Sequence, residues 1–173
     1  MADLFLDDVR GYWRDLAAKA YEEFWSEYQA DIQPSSNHLL LVYRRLLCAA
    51  LFLNHQADKA APMHGLERGN HFMDLVEEKD REMGLKLHAC RHFANDAKHE
   101  MKRLQQARTR PRESAYDNDG QSEVFEIHML SLDGELYDMC LVAGDIWRFW
   151  ISYFDGSAPI NFRQALDQIK LDE

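Results

Sequence analysis

NHLLLVYRRLLCAALFLNHQAD, residues 37–58, decides the fold. Its leucines, Val42, Tyr43 and Ala50 put apolar groups on most sides of a helix. A helix of that kind wants apolar neighbours all round, which makes it the central member of a helical bundle. Ser35 and Ser36, just after Pro34, stand where a side-chain oxygen would cap its first N–H groups. The densest apolar run, residues 39–53, contains Arg44 and Arg45 and is too short and too charged to be read as a bilayer span.

The flanking segments supply partners. Val9, Trp13, Leu16, Ala20, Phe24 and Tyr28 recur at three- and four-residue steps, predicting a helix over 8–30 with Asp7 or Asp8 at its start. Residues 59–66 form a loop with Pro62 and Gly65. A helix over 67–81 has a thin apolar face (Phe72, Leu75, Val76), and Glu77, Glu78, Asp80 and Glu82 read as a solvated face. Gly84 reads as the break before a helix over 85–107. Residues 109–123 are polar, with Pro111 and Gly120, and read as a mobile loop. Residues 124–131 carry β-formers, and Asp133-Gly134 signals a hairpin whose second strand covers about 135–137. Asp138 can cap a helix over 139–154 rich in large apolar groups, including Trp147 and Trp150. These aromatics read as core or as a dimer contact. Residues 160–171 add a short amphipathic helix.

The expectation is a mainly α, single-domain helical bundle over residues 1–173, with about five helices and one small β-hairpin near residues 124–137. With 173 residues, 46% of them hydrophobic, the chain can bury a real core. The net charge of −10 argues against general attraction to nucleic acid or anionic membrane. The charge is uneven, however. Between Arg91 and Arg112 seven Lys/Arg face two acids, Asp96 and Glu100, so this stretch is +5 and the remainder −15. Cys48, Cys90 and Cys140 are odd in number and far apart in apolar contexts, as expected of reduced, buried thiols in a cytoplasmic protein. The N-terminus is acidic, with no long apolar run to read as a signal peptide.

The best lead to function is LHACRHFANDAKHEMKRL, residues 87–104. At 100° per residue, Cys90, Phe93, Ala94, Ala97, Met101 and Leu104 fall on one side of the helix, and His88, His92, Asn95 and His99 form a stripe on the other. His88 and His92, one turn apart, could share a metal ion. His99 is about 16 Å from His88 along the axis, at 1.5 Å per residue, so a third ligand would come from His64, His71 or an acid of the preceding helix. No HExxH, GxSxG or phosphate-cradling glycine loop occurs. Metal-independent phosphodiester cleavage needs an imidazole that exchanges a proton near neutral pH and cations for the developing charge. His99, with Asn95 one turn before it and Lys98, Lys102, Arg103 and Arg91 nearby, supplies that inventory. The same stripe also suits a surface helix whose histidines meet solvent or a second subunit.

The segment RHFANDAKH, Arg91 to His99, resembles the motif helix of the HEPN superfamily, small all-α domains that include metal-independent RNases of toxin–antitoxin and defence systems. The resemblance implies a cleft at a homodimer contact that holds Arg91, His92 as its polar neighbour, and His99; with the residues around them, His99 is expected as general acid/base, Arg91 and Lys98 as stabilising phosphate charge and Asn95 as orienting. Seven residues separate Arg91 from His99, more than the family's usual spacing, and set them about 80° apart around the helix. The stretch from Arg91 to Tyr153 also resembles uncharacterised bacterial proteins with an Asn-x-x-Lys-His helix (Asn95, Lys98, His99), an Asp-Gly hairpin and a Trp-bearing helix. The sequence therefore points to a HEPN-like RNase or its inactive relative, without cofactor, that dimerises and meets RNA through the basic segment 98–112. A non-catalytic interaction protein, and a divalent-metal protein using His88 and His92, are the alternatives.

Overall fold

The computed structural model describes residues 8–30, 35–96, 108–111, 123–130 and 134–171. The fold is mainly α. Helix α1 (Val9–Tyr12) runs through a π-helical turn (Trp13–Ala17) into α2 (Ala18–Tyr28) as one continuous rod. It is followed by α3 (Ser36–Ala60), a 3₁₀ turn (Ala61–His64), α4 (Gly69–Lys79), α5 (Arg81–Asp96), α6 (Met139–Asp155) and α7 (Phe162–Leu171). Asp8 accepts from Gly11 N, Ser35 from His38 N and Asp138 from Cys140 N, so the expected capping residues at these three starts do cap. The π turn is the one irregularity the periodicity did not signal. Its extra residue swings Tyr12, Ala17 and Tyr21 into the core and leaves Trp13 and Leu16 half-buried.

α3 is the hub, packing against α2, α4, α5 and α6. Val42, Leu46, Ala49, Leu53, Ala57 and Ala60 are fully buried along one face. Gln56 on that face donates its side-chain amide to Val9 O at 3.0 Å, tying α1 to α3. The expectation that α3 is covered on most sides fails, because Leu40 and Leu41 are exposed and Leu51 is half-buried. Cys48 is exposed too, whereas Cys90 and Cys140 are buried as expected. The rod of α3 and the 3₁₀ turn, Ser36–His64, is 29 residues long and largely apolar. By length and composition alone it could cross a membrane, which the 15-residue apolar run did not suggest, and it is the one such helix among the described residues. Phe72, Trp150 and Tyr153 pack face and edge at the other end of the core, with Phe72 stacked on Trp150 at 5.5 Å. Trp147 is half-buried and stacks on Tyr21 at 5.0 Å.

The α4–α5 boundary falls at Asp80, not at Gly84. Asp80 has extended φ/ψ (−143°, 92°), and its carboxylate accepts from Met83 N at 3.1 Å, ending one helix and capping the next. Gly84 lies inside α5, buried, where a Cβ would come within 2.7 Å of Glu77 N and closer still to the Glu77 Cα and Cβ. Its role is close helix approach. Glu77, expected on a solvated face, is consequently half-buried in the helix contact.

The β structure is also richer than one hairpin. The β1 strand (Arg108–Pro111) pairs antiparallel with β2 (Glu123–Glu126), and β3 (His128–Leu130) pairs antiparallel with β4 (Leu136–Asp138). Part of the segment read as a loop, 109–123, is therefore strand. RTRP lacks apolar alternation, and β2 supplies its ladder partners. The second pair is the expected hairpin, slightly shifted, with Gly134 at φ 84°, a left-handed position that suits glycine. Asp133 lies outside the described residues. Ile127 between the pairs is buried and accepts from Met139 N at 2.9 Å, anchoring the strands on the start of α6.

Candidate functional site

The α4–α5 hairpin positions the histidine-bearing helix. One turn after Gly84, His88 turns towards α4, where its Nε2 lies 3.1 Å from Asp74 Oδ1 and 3.6 Å from Glu77 Oε2. His88 is thus part of the contact between the two helices and not a side chain facing an open cleft. One turn on from His88, His92 is half-buried, as are Arg91 and Asn95. Arg91 and Asn95 lie four residues apart, about 6 Å along the axis and 40° around it. Lys98, His99 and most of the basic segment 98–112 lie outside the described residues, apart from the backbone of β1. Of the candidate catalytic residues, the structure places Arg91 and Asn95 along one side of the last turns of α5.

That end of α5 belongs to a particular end of the bundle. The Phe93 ring meets Tyr43 of α3 edge-on at 6.1 Å. At the start of α3, His38 is buried, reaches Glu27 O and the Glu27 carboxylate at 3.3 Å, and meets Phe125 of β2 at 5.4 Å. Arg91, Asn95, the start of α3, the end of α2 and the β2 strand are gathered at this end. His38 carried no motif and was missed. Its position between α2 and β2 depends on contacts eleven and more residues away.

Two groups of residues are ruled out as chemistry by their surroundings. The Cys90 thiol donates to Ala50 O, and burial pushes its pKa up to about 12. Partial burial and the Glu23 carboxylate push the Cys48 thiol up against the opposing Arg45. Neither is an activated nucleophile. His64, one possible third metal ligand, is committed elsewhere. Its Nε2 lies 3.0 Å from the Tyr153 hydroxyl, and burial lowers its pKa. His71 is exposed on α4. Among the described residues no group of three His, Cys, Asp or Glu side chains is arranged to hold a metal ion.

A separate cleft of about 330 Å³ opens between α5, α6 and the turn after α6, lined by Asp80, Met83, Lys86, Asp145, Arg148 and Phe149 among others. Lys86 lies 2.8 Å from Asp145 and 2.5 Å from Glu82, and Arg148 also pairs with Asp145. Burial opposes the Lys86 charge, but its hydrogen bonds to Asp145 and Glu82 outweigh this and raise its pKa. The cations here are held in structural pairs. Sequence reading missed the cleft because its two walls are some sixty residues apart in the chain.

No family model, no curated protein and no solved structure matches the chain.

Proposed function

We propose that the chain is a HEPN-like helical domain acting on RNA, as a metal-independent ribonuclease or the inactive relative of one, and that it works as a cytoplasmic homodimer. The observation that carries the reading is the placement of Arg91 and Asn95. They are half-buried one turn apart at the end of α5, on the element that leads in sequence into Lys98, His99 and the basic segment 98–112. In this reading His99 exchanges the proton, Arg91 and Lys98 stabilise the charge that builds on phosphate, and Asn95 orients the reacting groups. The acidic remainder of the chain confines RNA contact to this one region.

A second reading, a non-catalytic interaction protein, is favoured by His88. Its engagement with Asp74 and Glu77 gives part of the stripe a structural task.

The test is cleavage of single-stranded RNA by the full chain in EDTA. Cleavage that disappears in His99→Ala supports the catalytic reading, and RNA binding without cleavage supports the inactive relative. Cleavage that persists in His99→Ala, or a wild-type chain that neither cuts nor binds RNA, overturns the proposal.

A further inference from the structure

α3 with the 3₁₀ turn after it is the one helix among the described residues long and apolar enough to cross a membrane, yet only 28% of its most apolar stretch is buried. A helix apolar on most sides is stable in water only when most sides are covered. The uncovered side is not a random scatter. Leu41, Arg44, Cys48, Leu51, His55 and Asp58 follow alternating three- and four-residue steps, the spacing of a seam between two helices, and none of them is buried. Leu40, 56% exposed, widens the apolar edge of this seam. The start of α4 touches it at Asp58, and it is exposed at Leu41, Arg44 and Cys48.

The charges along the seam choose the occupant. Arg44 and Asp58 each stand seven residues from Leu51, on opposite sides. Two copies of α3 packed antiparallel, with a two-fold axis at Leu51, set Arg44 of each copy opposite Asp58 of the other, so one interface makes the same pair twice. Asp58 Oδ1 accepts from Gly69 N, which leaves its second oxygen for this contact. Arg45, at the edge, is already paired with Glu23 and does not compete. A bilayer is a poor occupant, because Arg44 and Asp58 would lose water without gaining partners.

We infer that the outer face of α3 is a self-association surface, where a second copy of this chain docks antiparallel about Leu51 and Arg44 meets Asp58 across the axis. The inference deepens the homodimer part of the proposed function and is independent of its RNA chemistry, which the cleavage assay decides separately.

The test is the mass of the full chain in solution, by light scattering or sedimentation across a concentration series. Up to ~200 µM the wild type is expected to approach twice 20.3 kDa. Arg44→Glu, which sets like charges together twice, is expected to weaken the dimer at least about tenfold. Leu51→Cys in a Cys48→Ser background is expected to form a disulfide dimer on mild oxidation, because residues on the axis approach within disulfide reach, while Leu40→Cys at the edge is not. A wild type that stays monomeric, whether another protein or the chain's own residues 97–107 cover the face, overturns the inference. So does a dimer indifferent to Arg44→Glu, or a Leu51→Cys chain that does not cross-link.

Discussion

Replacing Gly84 with Ala sets two effects of opposite sign against each other. Taken as a mid-helix position, Gly→Ala gains about 1 kcal/mol of helix propensity. Taken as a packing position, it inserts a methyl where the α4 backbone already lies, 2.7 Å from Glu77 N and nearer still to its Cα. The obstruction is main chain, which cannot rotate away as a side chain could, so α4 and α5 must part. Overpacking of this kind costs about 1–3 kcal/mol, and contact with backbone points to the upper part of that range. The net expectation is a loss of about 1–2 kcal/mol, a Tm lowered by ~2–8 °C for a chain of this size. The damage falls nearest at His88. His88 is one turn from Gly84, so its contacts with Asp74 and Glu77 should lengthen and its imidazole NMR signals move, while the distant His64–Tyr153 pair is undisturbed. The assay is thermal unfolding of the two proteins side by side, with histidine spectra at one pH. A Tm that is unchanged or higher in Gly84→Ala would refute the close-approach account and restore the helix-breaker reading of this glycine.

Three further outcomes are expected. Trp150→Ala empties the centre of the aromatic cluster and should cost about 3–5 kcal/mol in denaturant unfolding; a cost under about 1 kcal/mol would show that the site collapses around the void. Asp138→Ala removes the α6 cap and should cost about 1 kcal/mol, with the loss partly restored by Asn and not by Leu. His64 is depressed by burial, so the unfolded chain binds its proton more readily; His64 therefore contributes stability above its ordinary value near 6.5 that is lost as the pH falls through the window just below it. Tm should consequently drop more steeply between about pH 7 and 5 in the wild type than in His64→Gln, and equal slopes would remove His64 from the account.

Elements whose information is local were legible in the sequence, and those set by distant contacts were not. Caps at Asp8, Ser35 and Asp138 act over two or three residues, and each is where the sequence puts it. The α3 helix was legible from its own composition, but its surroundings were not. Apolar residues on most sides state what the helix prefers, not what the chain supplies, and Leu40, Leu41 and Cys48 stay uncovered. Gly84 looked like punctuation because glycine disfavours a helix interior. What keeps it there is the backbone of Glu77, brought close by the turn at Asp80. RTRP had no strand pattern of its own and becomes β1 only through pairing with β2, across more than ten residues.

The candidate site divides in the same way, and the division bears on what the stripe can do. Helical spacing alone put His88, His92, Asn95 and His99 on one line, as though they formed one unit. The structure gives the first a contact of its own, because His88 faces Asp74 and Glu77 of α4, fixed there by the close approach at Gly84 one turn earlier. A shared face on one helix becomes a shared site only where neighbouring elements leave the same space open to it. Arg91 and Asn95 stand apart from the His88 contact with α4. They lie beyond the region where α4 packs closely, at the end of the bundle that also holds His38 and Phe125. Replacing His88 should therefore be felt first in the stability of the α4–α5 hairpin, and replacing Arg91 or Asn95 first in whatever the end of α5 binds. If His88→Ala abolished RNA cleavage without lowering Tm, this separation would be wrong and the stripe would act as one unit after all.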